Sequence, residues 1–338
     1  MVSEPTGRTT KAWLAELGLR PRKKLGQNFL VDRHVLQRIL AAAEIHSQDI
    51  VLEIGAGLGT LTQALAEESQ RVVAVEVDEQ LIAALRSRLQ SFPTVQIIQG
   101  DILALDIASL VRTQPPPLPR RSGVDAEYGS LRDAEFGTPS RSSGARHLLG
   151  ERVPAAQDLI PPRRSGTEYQ FKVVANIPYY ITSAVLRHLL EARAKPQLIV
   201  LMVQREVAQR ILATPGEMSL LAVSVQFYGQ PRLVARVPAR SFYPVPKVDS
   251  AIVRIDPHSQ LPIRTDEIAP FFDTVRAGFG QRRKQLRNAL SHGLKLPADR
   301  VVQAMHQAGI EERRRAETVS IAEWVALLRA LWSEAAPA

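Results

Sequence analysis

Several features that mark other protein classes are missing from this 338-residue sequence. It contains no cysteine, which excludes disulfides, thiolate metal ligands and a cysteine nucleophile. Its longest clear apolar run, residues 198–203, is far shorter than the roughly 18–20 residues of a membrane-spanning helix. The first ten residues are polar and lack the apolar segment of a secretory signal. We therefore expect no membrane segment, and the cytoplasm is the simplest compartment.

Histidines are sparse and do not cluster. The seven histidines show no pair at the spacing of metal ligands, so we expect no metal site. His188 falls in an apolar helical pattern, which favours a structural role. No long apolar stripe resembles a subunit interface, and we therefore expect a monomer.

Positive charge, in contrast, is in excess. Lys and Arg number 43 against 34 acidic residues, a net charge of +9. Residues 1–38 hold eight basic and three acidic side chains, and residues 257–338 hold twelve and nine. The second region includes basic clusters at 282–284 and 313–315. Net positive charge at both ends favours a polyanionic partner, nucleic acid first.

The order of β-rich and helical patterns predicts an α/β fold. Between residues 48 and 102, short β-rich runs alternate with helical patterns that begin near 60 and 81, which is typical of a parallel sheet covered by helices on both faces. Later β-rich runs are expected to extend this sheet. The predicted strands are residues 49–54, 71–77, 95–99, 171–175, 197–203, 221–226 and 250–255.

Two other regions differ from this rhythm. In residues 114–166, Pro, Gly and Ser supply 20 of 53 positions, and Asp125-Ala-Glu-Tyr-Gly is echoed at Asp133-Ala-Glu-Phe-Gly. Such a composition cannot bury a core and predicts a surface insertion that is disordered or loosely held. After residue 256 only helical patterns remain, at 268–279, 281–290, 298–307 and 321–331. We predict a basic N-terminal tail (1–24), an α/β domain (25–256) and a small all-helical C-terminal domain (257–338).

A glycine-rich turn joins the first predicted strand to the first helix. The run Glu53-Ile-Gly-Ala-Gly-Leu-Gly59 lets the backbone approach a ligand at a helix N-terminus. A dinucleotide site needs a further glycine where Thr60 stands, so the pattern fits a nucleoside cofactor without a pyrophosphate. Thr60 therefore argues against one alternative function, that of an NAD-dependent oxidoreductase.

Acidic side chains follow the next two strands. Glu76 closes the second strand 21 residues after Gly55, where a carboxylate accepts hydrogen bonds from ribose hydroxyls. Asp101 follows the third strand, where it can meet an adenine amino group. Three strand ends that converge at one sheet edge favour S-adenosylmethionine as the cofactor.

A chemical site is predicted where Asn176-Ile-Pro-Tyr179 ends the strand after the insertion. The amine of adenine is a poor nucleophile because its lone pair is delocalised into the ring. The Asn176 carbonyl and a backbone carbonyl fixed by Pro178 can accept its N–H bonds, while Tyr179 offers a stacking face.

These residues belong to a larger pattern that resembles the rRNA adenine N6,N6-dimethyltransferases. The resemblance covers nearly the whole chain except the insertion and the extreme ends, and its last three blocks look like the KsgA (RsmA) branch, which acts on small-subunit rRNA. The matching blocks are Leu25–Leu30, Glu53–Gly59, Val75-Glu76, Gly100-Asp101, Asn176–Tyr179, Met202–Ile211, Phe242–Ser250 and Phe279–Asn288.

The resemblance implies dimethylation of two adjacent adenosines in the 3′-terminal hairpin of small-subunit (16S) rRNA, with the target base flipped out. It implies that Phe242 stacks on the second face of that base. It also implies that residues 281–288 form a basic helix against the RNA backbone. The expected cofactor contacts are Asn28, Leu30, Gly55, Gly57, Glu76, Asp101 and Asn176; the expected catalytic residues are Asn176, Pro178, Tyr179 and Phe242; the expected RNA contacts are Arg282, Arg283, Lys284 and Arg287.

Alternatives stay open at this point. An Erm-type large-subunit rRNA methyltransferase shares the chemistry, although the Gln-Arg-Arg-Lys block and the full helical C-terminal region argue against it. A non-catalytic ribosome-assembly or RNA-binding factor would use the same fold. The insertion is either inert or alters access for RNA, and Tyr180, where many relatives carry Asn, is unassigned.

Overall fold

The computed structural model describes residues 7–112, 170–281 and 283–332, with side chains from Thr10 onward. The predicted insertion and Arg282 lie outside the described residues. The helices are α1 (Gly7–Glu16), α2 (Arg33–Ala43), α3 (Thr60–Glu68), α4 (Glu79–Arg88), α5 (Ile107–Arg112), α6 (Thr182–Glu191), α7 (Arg205–Ile211), α8 (Leu220–Tyr228), α9 (Ile268–Phe279), α10 (Leu286–Leu294), α11 (Ala298–Gln307) and α12 (Ile321–Trp332). The strands are β1 (Phe29–Leu30), β2 (Ile50–Ile54), β3 (Arg71–Glu76), β4 (Val95–Gln99), β5 (Phe171–Asn176), β6 (Leu198–Gln204), β7 (Gly229–Val237), β8 (Phe242–Tyr243) and β9 (Ser250–Pro257).

A central sheet with strand order β4-β3-β2-β5-β6-β9-β7 organises these elements. The five neighbouring strands β4, β3, β2, β5 and β6 run parallel. Strand β9 is antiparallel to both of its neighbours, β6 and β7. The order reverses between β2 and β5, because β3 follows β2 on one side while β5 pairs on the other. A crevice forms at such a switch point, beyond the carboxyl ends of the strands.

Alternating side chains divide the core into two apolar clusters, one on each face of the sheet. Leu52, Val73 and Val173 belong to one cluster, whereas their chain neighbours Val51 and Val72 belong to the other. This alternation follows from the two-residue period of a strand, and both faces are apolar because helices cover both.

The sequence predicted most of this sheet, but the strand predicted at residues 221–226 is wrong: these residues lie in helix α8. Their valines favour a strand locally, yet the Ser219 hydroxyl accepts the Ala222 N–H at 3.2 Å and caps a helix. Phe227 of that helix stacks on Phe271 of α9, with ring centroids 4.6 Å apart. Packing therefore overrides propensity, and the strand that borders β9 is β7 instead.

The terminal regions also differ from expectation. The predicted basic tail contains helix α1, whose Leu14 is buried against Phe29 and Leu81. The helix predicted from residue 281 begins only at Leu286, because Gln281 and Arg283 adopt turn conformations and Gln285 is the N-cap of α10. The helices after residue 257 share an apolar cluster with the sheet, and the domain boundary at 256 stays a prediction.

Candidate active site

The switch point of the sheet opens into a cavity at the carboxyl ends of β2, β3 and β5. The segment from Leu25 to Leu30 and the turn from Asn176 to Ile181 both line this cavity, and they contact each other through Asn28 and Asn176. Most residues that the sequence assigned to the cofactor or the chemistry line this cavity. They are Asn28, Leu30, Gly55, Gly57, Glu76, Asp101, Asn176, Pro178 and Tyr179.

The glycine-rich turn forms the floor of the cavity with backbone rather than side chains. Gly55 and Gly57 have φ values of 76° and 58°, in the left-handed region that glycine adopts without strain. A Cβ on Gly57 would lie 3.3 Å from the Phe29 ring, and one on Gly55 would lie 3.4 Å from the Asn176 carbonyl oxygen. Because the Phe29 and Asn176 segments approach this turn so closely, positions 55 and 57 require residues without a side chain.

Glu76 supports this turn from the end of β3. One carboxylate oxygen accepts the Gly57 N–H at 2.8 Å, and the other accepts the Asp78 N–H at 2.9 Å. Burial raises the pKa of Glu76 above its ordinary value, although the backbone N–H groups oppose this shift. The backbone N–H groups of Gly57, Val77 and Asp78 do not exhaust the roughly four acceptor sites of a carboxylate, so Glu76 can still accept a ribose hydroxyl.

Asp101, unlike the buried Glu76, has an exposed carboxylate. It follows β4, is exposed to solvent and accepts the Leu103 N–H at 3.0 Å through Oδ1, which caps the short turn Ile102–Ala104. It lines the cavity beside Gly100, and its contact with an adenine amino group stays a prediction.

Glu53 also lines the cavity, and the sequence assigned it no separate role. Its side chain is only 1% exposed, and Oε2 has no hydrogen-bond partner within the described part of the chain. The pKa of Glu53 is raised to about 8, chiefly by burial; the Thr62 hydroxyl opposes this increase and the nearby Glu76 carboxylate adds to it. In the sequence, Glu53 could have been identified by its position as an acidic residue two places before the Gly-x-Gly turn.

Asn176, at the end of β5, is held by the N-terminal segment. Its Nδ2 donates to the Asn28 backbone oxygen at 3.2 Å, and the Asn28 side chain donates to the Gly26 oxygen at 3.0 Å. The Asn176 Oδ1 atom has no hydrogen-bond partner among residues 7–112, 170–281 and 283–332. It is therefore available as an acceptor.

Pro178 begins a short helical turn, Tyr179–Ile181, in which the two tyrosines differ in environment. The Tyr179 hydroxyl lies 2.6 Å from the Ser250 hydroxyl, and burial raises its pKa above the ordinary value. Tyr180 lines the cavity mouth and is 62% exposed.

Phe242 is the predicted catalytic residue that the structure does not bring to the cavity. It pairs with Leu30 across the β1–β8 ribbon, is only 2% exposed and does not line the cavity. Its apolar ring packs in the cluster that contains Val35 and Val237, because burial of this large side chain stabilises the ribbon. The predicted stacking contact is thus not formed in this conformation.

An ion pair that the sequence did not reveal ties the N-terminal segment to the sheet. The buried Asp78 carboxylate accepts Arg22 Nη1 at 3.0 Å and Gln27 Nε2 at 2.7 Å. Asp78 also caps helix α4 through the Gln80 N–H, and that capping pattern was its signal in the sequence.

Of the basic residues predicted to contact RNA, Arg283, Lys284 and Arg287 are described by the structure, and none of these three lines the cavity. Arg283 and Lys284 are exposed on the turn before α10, whereas Arg282 lies outside the described residues. Arg287 is part of α10, and its Nη1 pairs with Glu312 at 2.9 Å. Arg287 therefore already has an acidic partner, whereas the sequence predicted that it would belong to a basic helix facing the RNA backbone.

The described residues provide neither a metal-binding cluster nor a membrane-spanning helix. None of their His, Asp and Glu side chains form a group of three or more that could hold a metal ion. None of their helices combines the length and hydropathy of a bilayer-spanning segment.

The chain matches the family model described as ribosomal RNA adenine dimethylase over residues 18–332. It is 42% identical over 306 residues to a ribosomal RNA small subunit methyltransferase A of Dehalococcoides mccartyi, covering 90% of this chain and 87% of that protein. The protein of the same name from Moorella thermoacetica is 38% identical over 334 residues, with 98% and 99% covered.

Solved structures give the same fold. The 23S rRNA methyltransferase ErmE superposes with a TM-score of 0.61 at 26% identity, covering 90% of this chain and 99% of that one. A dimethyladenosine transferase from Plasmodium falciparum superposes with a TM-score of 0.63 at 22% identity, with 88% and 95% covered.

Proposed function

The chain belongs to the ribosomal RNA adenine dimethylase family, and on that premise we propose that it dimethylates the N6 amines of two adjacent adenosines in the 3′-terminal hairpin of small-subunit (16S) rRNA. The placement of Asn176 carries this proposal: its anchored amide and free Oδ1 face the cavity of a methyltransferase fold. The small-subunit relatives, at 42% and 38% identity, support the choice of rRNA.

S-adenosylmethionine, the cofactor of the family, supplies a methyl group activated by the sulfonium. The residues present fit this cofactor. Glu76 would accept the ribose hydroxyls, Asp101 the adenine amine, and the Gly55–Gly57 backbone would lie against the methionine part. Asn28 and Leu30 would cover it from the N-terminal segment, which Asp78 holds in place through Arg22 and Gln27.

Asn176 would orient the target amine rather than deprotonate it. Its Oδ1 accepts one N6–H bond, and a backbone carbonyl of the Asn176–Pro178 turn accepts the other, so that the lone pair points toward the methyl carbon. Bound S-adenosylmethionine would supply the methyl group from its sulfur to the amine nitrogen, and the surplus proton of the amine would pass to water. Tyr179, fixed by Ser250, would stack on the flipped adenine, and Phe242 could join it only after leaving its buried position.

The RNA backbone would meet basic side chains of the C-terminal helical region. Arg283 and Lys284 are exposed, and Arg282 between Gln281 and Arg283 belongs to the same proposal. Such contacts position RNA without reading its sequence. Arg287 would contribute only in competition with Glu312. We further propose that the protein acts as a monomer with assembling small subunits in the cytoplasm.

A second candidate is methylation of large-subunit rRNA, favoured by the likeness to ErmE. Labelled S-adenosylmethionine should be incubated with undermethylated small subunits, large subunits and free rRNA in parallel, followed by nucleoside analysis. Dimethyladenosine in the small subunit alone is the expected result. Label in the large subunit would assign the second candidate, and cofactor binding without transfer would leave a non-catalytic assembly role.

The same assay tests the chemical site. The substitution Asn176→Ala removes the acceptor, and we expect methyl transfer to fall by at least about 100-fold, since orientation of the amine supplies the rate. S-adenosylmethionine binding, measured by calorimetry, should weaken much less. Turnover equal to that of the unmodified protein would contradict the assigned role of Asn176.

A further inference from the structure

The turn after β5 carries two consecutive tyrosines that meet different surroundings. Tyr179 is half-buried, and its hydroxyl is held by Ser250 at 2.6 Å. Tyr180 stands at the cavity mouth with 62% of its surface exposed. Successive residues of a 3₁₀ turn project about 120° apart, so both rings cannot face the same ligand surface.

The position of the Tyr180 ring is set by the N-terminal segment. A Cβ on Gly26 would lie 3.5 Å from Cδ1 and Cε1 of Tyr180 and 3.4 Å from the Pro178 Cβ. Gly26 has a φ of 60°, so its backbone turns under the ring without a side chain. One edge of the ring is thereby supported while most of its surface meets solvent.

Ligand sites are clefts lined mainly by hydrophobic and aromatic side chains, and Tyr180 is an exposed aromatic residue in the lining of this cavity. Tyr180 differs from the other aromatic residues considered for the substrate, because Tyr179 is fixed inside the cavity and Phe242 is buried. A flipped adenine occupies only the cavity. The nucleotide next to it in the RNA chain must therefore pass over the cavity mouth, where Tyr180 lies.

We propose that Tyr180 stacks on the base of a nucleotide that flanks the target adenosine and thereby positions the RNA strand at the cavity mouth. This inference rests on the proposed function and deepens it. Base–aromatic stacking contributes about 1–3 kcal/mol for each base, which corresponds to roughly 5- to 150-fold in binding. Because stacking needs a π face and no hydroxyl, the ring itself should determine the effect.

The test compares Tyr180→Phe, Tyr180→Leu and Tyr180→Ala by kcat/KM for methylation of undermethylated small subunits. We expect Tyr180→Phe to retain activity within about twofold, while Tyr180→Leu and Tyr180→Ala fall by about 5-fold or more. The loss should appear mainly in KM for the subunit, and dissociation constants for S-adenosylmethionine should stay within about twofold in all three variants. Tyr180→Phe serves as the matched control, since it keeps the ring and its support on Gly26.

Three results would overturn the proposal. Equal kcat/KM for all variants would show that Tyr180 does not contact substrate. Loss in Tyr180→Leu equal to that in Tyr180→Phe would exclude stacking. A cofactor dissociation constant weakened in step with activity would assign Tyr180 to the cofactor cover instead. Failure of the proposed function is distinguishable, because the unmodified protein would then transfer no methyl group to small subunits.

Discussion

The buried carboxyl of Glu53 predicts an unusual dependence of stability on pH. The side chain is 1% exposed, and its pKa is raised from 4.5 to about 8, first by burial. Between these two values the unfolded chain has lost the proton that the folded chain retains. The free energy of unfolding therefore falls as pH rises through this window, and the stabilisation is fully present only below the unfolded pKa.

The substitution Glu53→Gln isolates this effect, since glutamine resembles the protonated acid in shape and stays neutral. The full displacement of the pKa corresponds to roughly 5 kcal/mol, at about 1.4 kcal/mol for each tenfold change in proton affinity. Part of this is already lost by pH 5.5. We therefore expect the Gln variant to gain about 3 kcal/mol relative to the unmodified protein on going from pH 5.5 to pH 8.5.

Urea-induced unfolding at pH 5.5, 7.0 and 8.5 measures this difference, because groups that do not interact with residue 53 titrate alike in both proteins. Glu68→Gln is the matched control, since Glu68 is exposed at the end of α3 and its replacement makes the same chemical change outside the core. Parallel pH profiles for the unmodified protein and Glu53→Gln would refute the reasoning, as they would show that Glu53 is ionised in the folded state without cost.

Two further predictions concern the backbone conformation of Lys295 and the packing of Gly278, and urea-induced unfolding measures both. Lys295 ends helix α10 with a φ of 56°, so Lys295→Gly should stabilise the protein by about 0.5–1 kcal/mol; a loss of stability would mean that the lysine side chain makes a needed contact. A Cβ on Gly278 would lie 2.4 Å from the fully buried Trp324 ring, and Gly278→Ala should destabilise by about 1–3 kcal/mol. An unchanged midpoint would show that the Trp324 ring can shift at no cost.

Much of the candidate site followed from local sequence patterns. Glu76 and Asp101 were predicted at strand ends, and both line the cavity, because parallel strands bring their carboxyl ends to one edge. The strand predicted at 221–226 failed, since its local propensity did not include the cap at Ser219 or the stack of Phe227 on Phe271. Phe242 failed to reach the cavity for a similar reason: a family motif gives the residue type at a position, and packing decides which way its ring is buried.

The sequence by itself determined the parallel sheet, the glycine turn at its switch point and the order of the cofactor and chemical motifs, because these depend on residue types at short spacing. Only the tertiary structure decided the contacts between distant segments. The Asn28 backbone oxygen orients Asn176, Asp78 holds Arg22 and Gln27, and Ser250 fixes Tyr179. The burial of Glu53 and the exposure of Tyr180 likewise depend on which chain segments cover them, and no local pattern specifies that.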